Sequence, residues 1–234
     1  MILAAGLGTR LRPLTDRCPK ALLKWEGKPL LEHVLLKLKS EGFSEAVINI
    51  HHHAQMIRNF VEENKSFGMD IHFSQEEELL DTGGGIARAS AHLQGEPFLV
   101  YNVDVMCTIR LQEMFDDHVA SGAMVTLAVK DRRTSRSLLV NGDGLLKGWR
   151  DNRSGETILT GNPGEELHPI AYSAIMIMDP AVFGHMPREE VFPVMPFLLA
   201  LSRTEKVNTY RHDADVWRDM GRLSAFDPRI AHEG

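Results

Sequence analysis

The stretch Gly6-Leu7-Gly8-Thr9-Arg10, followed by Lys20, holds the first residues whose types and spacing suit chemistry. Small residues at the end of a strand let the backbone come close to a ligand. Successive N–H groups in such a turn form an anion cradle. Arg10 can fork onto phosphate oxygens, and Lys20 adds a compact second charge. A triphosphate, a concentrated polyanion, suits such a loop; the alternative is a plain strand-to-loop turn with solvated side chains. The spacing is not that of a P-loop, and a dinucleotide fingerprint would need a third glycine opening a helix, whereas Arg10-Leu11-Arg12-Pro13 opens none. Asp104 directly follows an apolar run from Phe98 to Val103, so it is an acid at a strand's C-terminal end, where a metal–phosphate site belongs. Mg2+ takes few carboxylates together with waters and phosphate oxygens. A second acid, Asp219 in Trp217-Arg218-Asp219-Met220-Gly221, follows another strand and precedes a glycine turn, with Asp213 and Asp215 as competitors.

Other candidates are less pointed. In Asp81-Thr82-Gly83-Gly84-Gly85-Ile86 the glycines could let a flat base lie against backbone, with Thr82 capping a helix that runs from Gly85 to Leu93. Trp149 could stack on a sugar face and Arg150 could hold an acceptor phosphate, or the pair could be an exposed hairpin end. His51-His52-His53 cannot all point at one ion, and a loop role is expected. The 11 methionines are expected as core filler. Cys18 and Cys107 make neither a metal spacing nor a disulfide framework and are expected to be reduced.

These residues must be positioned by a sheet. Apolar strands at Ile2–Ala5, Ala46–Ile50, Ile71–Ser74, Pro97–Val103 and Ala123–Lys130 alternate with helical periods at Pro29–Glu41, Ala54–Asn64 and Leu111–Ser121. That alternation predicts an α/β fold, a Rossmann-like, mostly parallel central sheet with helices on both faces and ligands at the strands' carboxyl ends. After about Ser135 a hairpin around Asn141-Gly142-Asp143-Gly144, a loop from Thr157 to His168, a strand at Tyr172–Met178, short helices at Pro180–His185 and Phe197–Ser202 and a last strand at Val207–Arg211 suggest a small β-rich lobe within the same domain. Only the last few residues read as a tail. One domain of 234 residues is expected, with 1–130 as a nucleotide-binding half and 131–234 as an acceptor-binding half. A net charge of −6 argues against nucleic acid as the main partner. No apolar run reaches the roughly 20 residues of a membrane span, so a cytoplasmic protein, monomeric or homodimeric, is expected. The first strand begins at the first residue, which leaves open a start a few residues upstream of Met1.

Taken as a string, Gly6-Leu7-Gly8-Thr9-Arg10, Pro13-Leu14-Thr15 and Pro19-Lys20 resemble the opening signature of the sugar-phosphate nucleotidylyltransferases. Trp217, Asp219 and Gly221 resemble the family's closing Trp-x-Asp-x-Gly motif, with Arg222 where Thr is common. The Thr82-to-Ile86 string is most similar to N-acetylmuramate 1-phosphate uridylyltransferases, and also similar to mannose 1-phosphate guanylyltransferases. The resemblance implies a nucleotide-diphospho-sugar transferase fold. It implies nucleotide contacts from Ala5, Gly6, Gly8, Thr9, Arg10, Thr82, Gly83, Gly84 and Asn102, catalytic roles for Arg10, Lys20 and Asp104, and one Mg2+ shared by Asp104 and Asp219. Lys20 would bridge nucleotide and acceptor phosphates. The partners implied are a nucleoside triphosphate and a sugar 1-phosphate. The family's Glu-Lys-Pro acceptor motif is absent, and Trp149, Arg150 and Ser173 are the acceptor candidates in its place. UTP with N-acetylmuramate 1-phosphate is the expected pair; a mannose 1-phosphate guanylyltransferase, a phosphocholine cytidylyltransferase and a non-catalytic, sugar-nucleotide-sensing subunit are the alternatives.

Overall fold

The computed structural model of the chain describes residues 1–162 and 164–226; the expected tail lies outside them. In chain order, β1 (Ile2–Leu3) leads through three short 3-10 turns to a small hairpin, β2 (Lys24–Trp25) and β3 (Lys28–Pro29). Then come α1 (Leu30–Ser40), β4 (Glu45–Ile50), α2 (Ala54–Glu63), β5 (Asp70–Gln75), α3 (Asp81–Arg88), β6 (Phe98–Asn102), β7 (Val105–Cys107), α4 (Leu111–Ser121) and β8 (Val125–Lys130). The second half adds β9 (Arg136–Val140), β10 (Leu146–Asp151), β11 (Thr157–Leu159), β12 (His168–Met178), α5 (Val194–Leu201), β13 (Val207–Arg211) and β14 (Trp217–Asp219).

The main sheet runs β11-β10-β9-β12-β6-β1-β4-β5, with β8 on β12 and β13 on β8. The centre, β6-β1-β4-β5, is parallel throughout, as the strand–helix alternation requires. Side chains alternate faces along each strand, and two cores follow. Ile2, Ile48, Leu99 and Tyr101 pack with α1 and α2 on one face. Leu3, Val47, Phe98 and Val100 pack with Ile86 of α3 and the apolar side of α5 on the other. The carboxyl ends of β1, β4 and β6 therefore open onto one edge.

Three expectations need correction. The glycine run does not precede a helix; it lies inside α3, so Thr82 is not its cap. Thr9–Leu11 does form one 3-10 turn. The stretch from Thr157 to His168 is not all loop, since β11 pairs with β10 there. The β-rich part of the second half is built into the same sheet: β12 pairs with β9 through His168–Ile170 and with β6 through Ile175–Met178, so the hairpin continues the main sheet. A bulge at Ser173–Ile175, with Ala174 left-handed at φ 58, makes that handover.

Candidate functional site

Gly8 sits at φ 63, in the left-handed region that favours glycine, and a Cβ there would meet Thr15 Cγ2 at 2.7 Å. Its carbonyl accepts from the Leu11 N–H at 2.8 Å and the Thr15 hydroxyl at 2.9 Å, which closes the turn and leaves Thr9 and Arg10 exposed. At the strand end, the N–H groups of Ala4 and Ala5 donate to Asn49 Oδ1 at 2.6 and 3.3 Å. Asn49 Nδ2 donates in turn to Glu76 Oε1 at 2.7 Å, and the Leu80 N–H donates to Glu76 Oε2 at 3.1 Å. A buried Asn–Glu pair thus ties the loop's root to β4, β5 and the start of α3. Asn102 ends β6 opposite Leu3, beside the same root.

Asp104 occupies the turn between β6 and β7 and is buried. Lys20 Nζ lies 2.9 Å from Asp104 Oδ2. Three-residue strands bring in the second carboxylate: β14 pairs antiparallel with β7, Asp219 opposite Val105, and the Met220 N–H donates to the Asp104 carbonyl at 2.8 Å. Gly221 marks the convergence. A Cβ there would lie 2.8 Å from Asp219 Oδ1, 2.9 Å from Asp104 Oδ2 and 3.0 Å from Arg10 Nη2. Two carboxylate oxygens facing one space, with room kept by a glycine, suit a hard cation that completes its shell with water and phosphate oxygens. The competitors are engaged elsewhere. Asp213 Oδ1 accepts from the Asp131 N–H, and that bond holds its carboxyl below the usual range; Asp215 Oδ1 accepts from Thr108 Oγ1.

Beside Asp219 opens a cavity of about 600 Å3 lined by Thr82, Trp149, Arg132, Arg136, Trp217 and Arg222 among others. Trp217 and Asp219 are two apart on β14 and share a face. Arg132 Cζ sits over the Trp217 ring, 3.8 Å from its centroid, and Arg132 Nη2 donates to the Tyr172 carbonyl at 2.8 Å. Burial lowers the pKa of this guanidinium, against the pull of Asp219, and its Nε is buried without a partner among the described residues. Trp149 reaches the cavity, but Arg150, next on the strand, points off the other face and is exposed. Ser173 is fully buried: its hydroxyl bonds His212 Nε2 at 2.7 Å, and its carbonyl accepts from Trp217 Nε1 at 2.9 Å. It therefore supports the tryptophan and touches no ligand space. Gly83 and Gly84 are buried too. Both N–H groups donate to the Phe192 carbonyl, at 2.9 and 3.2 Å, so neither is free to read a base edge. Thr82 accepts from the Val194 N–H at 3.0 Å and remains at the cavity's margin. His51 bonds the Glu76 carbonyl and His53 precedes α2, a loop role as expected.

Residues 1–138 match the family model described as nucleotidyl transferase. The chain belongs to that family. It is 33% identical over 229 residues to an N-acetylmuramate alpha-1-phosphate uridylyltransferase of Neisseria meningitidis, covering 95% of this chain and 93% of that one. It is 29% identical to the catalytic subunit beta of a mannose-1-phosphate guanylyltransferase of Drosophila melanogaster, over 97% of this chain but 60% of the fly protein. Its fold is similar to that of a putative glucose-1-phosphate thymidylyltransferase from Bacillus anthracis, solved with sucrose, at TM-score 0.81 and 16% identity over 98% and 92% of the two chains. Three parts of this nucleotidyl transferase escape the sequence reading. Asn49 and Glu76 sit at ordinary strand ends, and only the apolar residues around Asn49 hint at its burial. Arg132 lies in a polar run of arginines with nothing to single it out.

Proposed function

We propose that this nucleotidyl transferase moves a uridylyl group from UTP to N-acetylmuramate 1-phosphate, releasing pyrophosphate, in the cytoplasm. Residues 1–130 would hold the nucleotide, residues 131–234 the acceptor, and Asp104 with Asp219 a Mg2+ ion. The convergence of Asp104, Asp219, Arg10 and Lys20 around the space above Gly221 carries the reading. When bound there, Mg2+ supplies positive charge to phosphate oxygens. The acceptor's phosphate oxygen attacks the α-phosphorus, and the α–β bridging P–O bond breaks. That nucleophile is already an anion at neutral pH, so no general base is needed. The work left to the protein is positioning and charge neutralisation. Lys20, close to Asp104, aligns the attacking and receiving phosphates. Arg10 and the loop amides take the charge that grows on pyrophosphate. Arg132, held over the Trp217 ring, receives the acceptor phosphate in the role expected of Arg150.

Identity to the Neisseria enzyme over nearly all of both chains supports uridylyl transfer to an N-acetylmuramate acceptor. The guanylyl alternative rests on relatives that extend well beyond this chain. Pyrophosphate release across four nucleoside triphosphates and several sugar 1-phosphates, with and without EDTA, tests the proposal. UTP with N-acetylmuramate 1-phosphate should give the highest kcat/KM, and EDTA should abolish it. Preference for GTP with mannose 1-phosphate would replace the substrates, and no release from any pair would remove the activity.

A further inference from the structure

The cavity beside Asp219 contains two guanidinium–indole pairs. Arg132 on Trp217 adjoins Asp219. Arg136 stands over Trp149, 6.0 Å from the ring centroid, on the wall built by β9 and β10. The acceptor phosphate accounts for Arg132. It also accounts for Arg222, whose Nε is 3.9 Å from Asp219 Oδ2. It does not account for Arg136.

The backbone of Arg136 is held in place while its guanidinium is unsatisfied. Its backbone N–H and carbonyl bond the Thr134 hydroxyl, while its guanidinium makes no hydrogen bond among the described residues. Its Nε lies 3.8 Å from Asp151 Oδ2, a contact that orients charge without a hydrogen bond. Asp151 is engaged elsewhere, since its Oδ1 accepts from the N–H groups of Arg153 and Ser154 at 2.8 and 3.2 Å. Three guanidiniums and one carboxylate thus line the cavity. A neutral sugar phosphate would bring one anionic group to the end near Asp219 and only hydroxyls to Arg136.

We propose that Arg136, carried on Trp149, reads a carboxylate on the acceptor sugar, so that the site selects acidic sugar 1-phosphates over their neutral counterparts. The proposal rests on the sugar 1-phosphate reading above. The indole offers an apolar floor for the sugar ring, and the planar guanidinium matches a carboxylate in two-point contact. Arg136 is largely exposed, so water and salt weaken the contact.

The test compares kcat/KM for N-acetylmuramate 1-phosphate and N-acetylglucosamine 1-phosphate, which differ by the lactyl ether and its carboxylate. Wild type, Arg136→Ala, Arg136→Lys and Arg136→Glu are measured with UTP. The acidic-to-neutral ratio should fall about tenfold in the alanine variant, in line with one charge-assisted contact. It should fall further with glutamate, recover in part with lysine, and shrink in wild type as salt rises. A structural role would lower both acceptors together and leave the ratio fixed, which overturns the proposal. A wild type that favours the neutral acceptor overturns it while sugar-phosphate transfer stands. A wild type that uses neither sugar with any triphosphate removes the underlying function as well.

Discussion

Replacing Gly221 with alanine places one methyl group where the site converges. The glycine is outside the left-handed region, so alanine suits its backbone, but the Gly221 N–H bond to Asp219 Oδ1 at 2.8 Å must lengthen as that oxygen is displaced. The new carbon would stand 2.8 Å from Asp219 Oδ1, 2.9 Å from Asp104 Oδ2 and 3.0 Å from Arg10 Nη2. Optimal non-bonded separations are about 3.5–4.0 Å, so each carboxylate must retreat by roughly half an ångström or more. Arg10 is exposed and can swing away. Asp104 is buried and paired to Lys20 at 2.9 Å, so its retreat drags the lysine with it. A misplacement of about 1 Å in a reacting constellation costs about a hundredfold. The expected loss in kcat/KM is therefore about 10- to 100-fold, equivalent to about 1.4–2.7 kcal/mol of transition-state stabilisation. Overpacking of about 1–3 kcal/mol is partly offset by the lower entropy of the unfolded chain, so the variant should remain folded. A continuous pyrophosphate assay at varied Mg2+, beside a thermal melt, reads both effects, and the variant should need more Mg2+. Turnover within about threefold of wild type, with the same Mg2+ dependence, would refute the placement of the reaction above Gly221.

Asp104→Asn removes one of the two facing carboxylates and the partner of Lys20; kcat should fall at least about 10²–10³-fold with the circular dichroism spectrum unchanged, and an active variant would sink the metal assignment. Gly84→Ala would push a Cβ to 2.1 Å from the Glu190 carbonyl and 2.9 Å from Leu80 Cβ. Backbone cannot yield cheaply, so a urea melt should show a loss of about 1–3 kcal/mol, and a neutral result would mean the segment at Glu190–Phe192 does not pack on α3. His118 and His212 are both buried, and burial lowers their pKa values in the folded state. The unfolded chain therefore binds protons first as pH falls through the ordinary histidine range. Stability should drop between about pH 7 and 5, by up to about 1.4 kcal/mol per pH unit for each histidine. His118→Gln should flatten that slope in urea melts at several pH values; an unchanged slope would remove His118 from the account.

The sheet centre and the opening loop were legible because short-range rules determine them. Short, nearly continuous apolar runs mark β1, β4 and β6 as strands buried on both faces, and Gly8 takes a backbone conformation that glycine favours. The strand-end position of Asp104 follows from the same pattern. What failed to show depends on long-range contact. β7 and β14 are three residues each, too short for a periodicity, yet their pairing delivers Asp219. The glycine run looked like an open cradle because its cover, the segment ending at Phe192, lies far along the chain. On β10 the period of two already implied that Trp149 and Arg150 could not share one pocket. Ser173 looked like a polar strand residue, but a bulge turns it inward to hold Trp217.

The division between halves has a consequence for how the site is built. The nucleotide loop, Lys20 and Asp104 all lie within the segment that matches the family model, residues 1–138. Asp219, Trp217 and Gly221 do not. They meet the first half through the β7–β14 pairing, the Met220 bond to Asp104 and the Arg132 guanidinium over Trp217. The cavity wall at Trp217 is thus continuous with the strand that completes the carboxylate pair. Trp217 and Asp219 share one face of β14, so a change that tilts this strand to reshape the cavity also moves the carboxylate proposed to hold Mg2+. Arg136 and Trp149, on β9 and β10, line the same cavity without contact with Asp104 or Asp219 among the described residues, so under the proposed function acceptor selectivity is freer to change there.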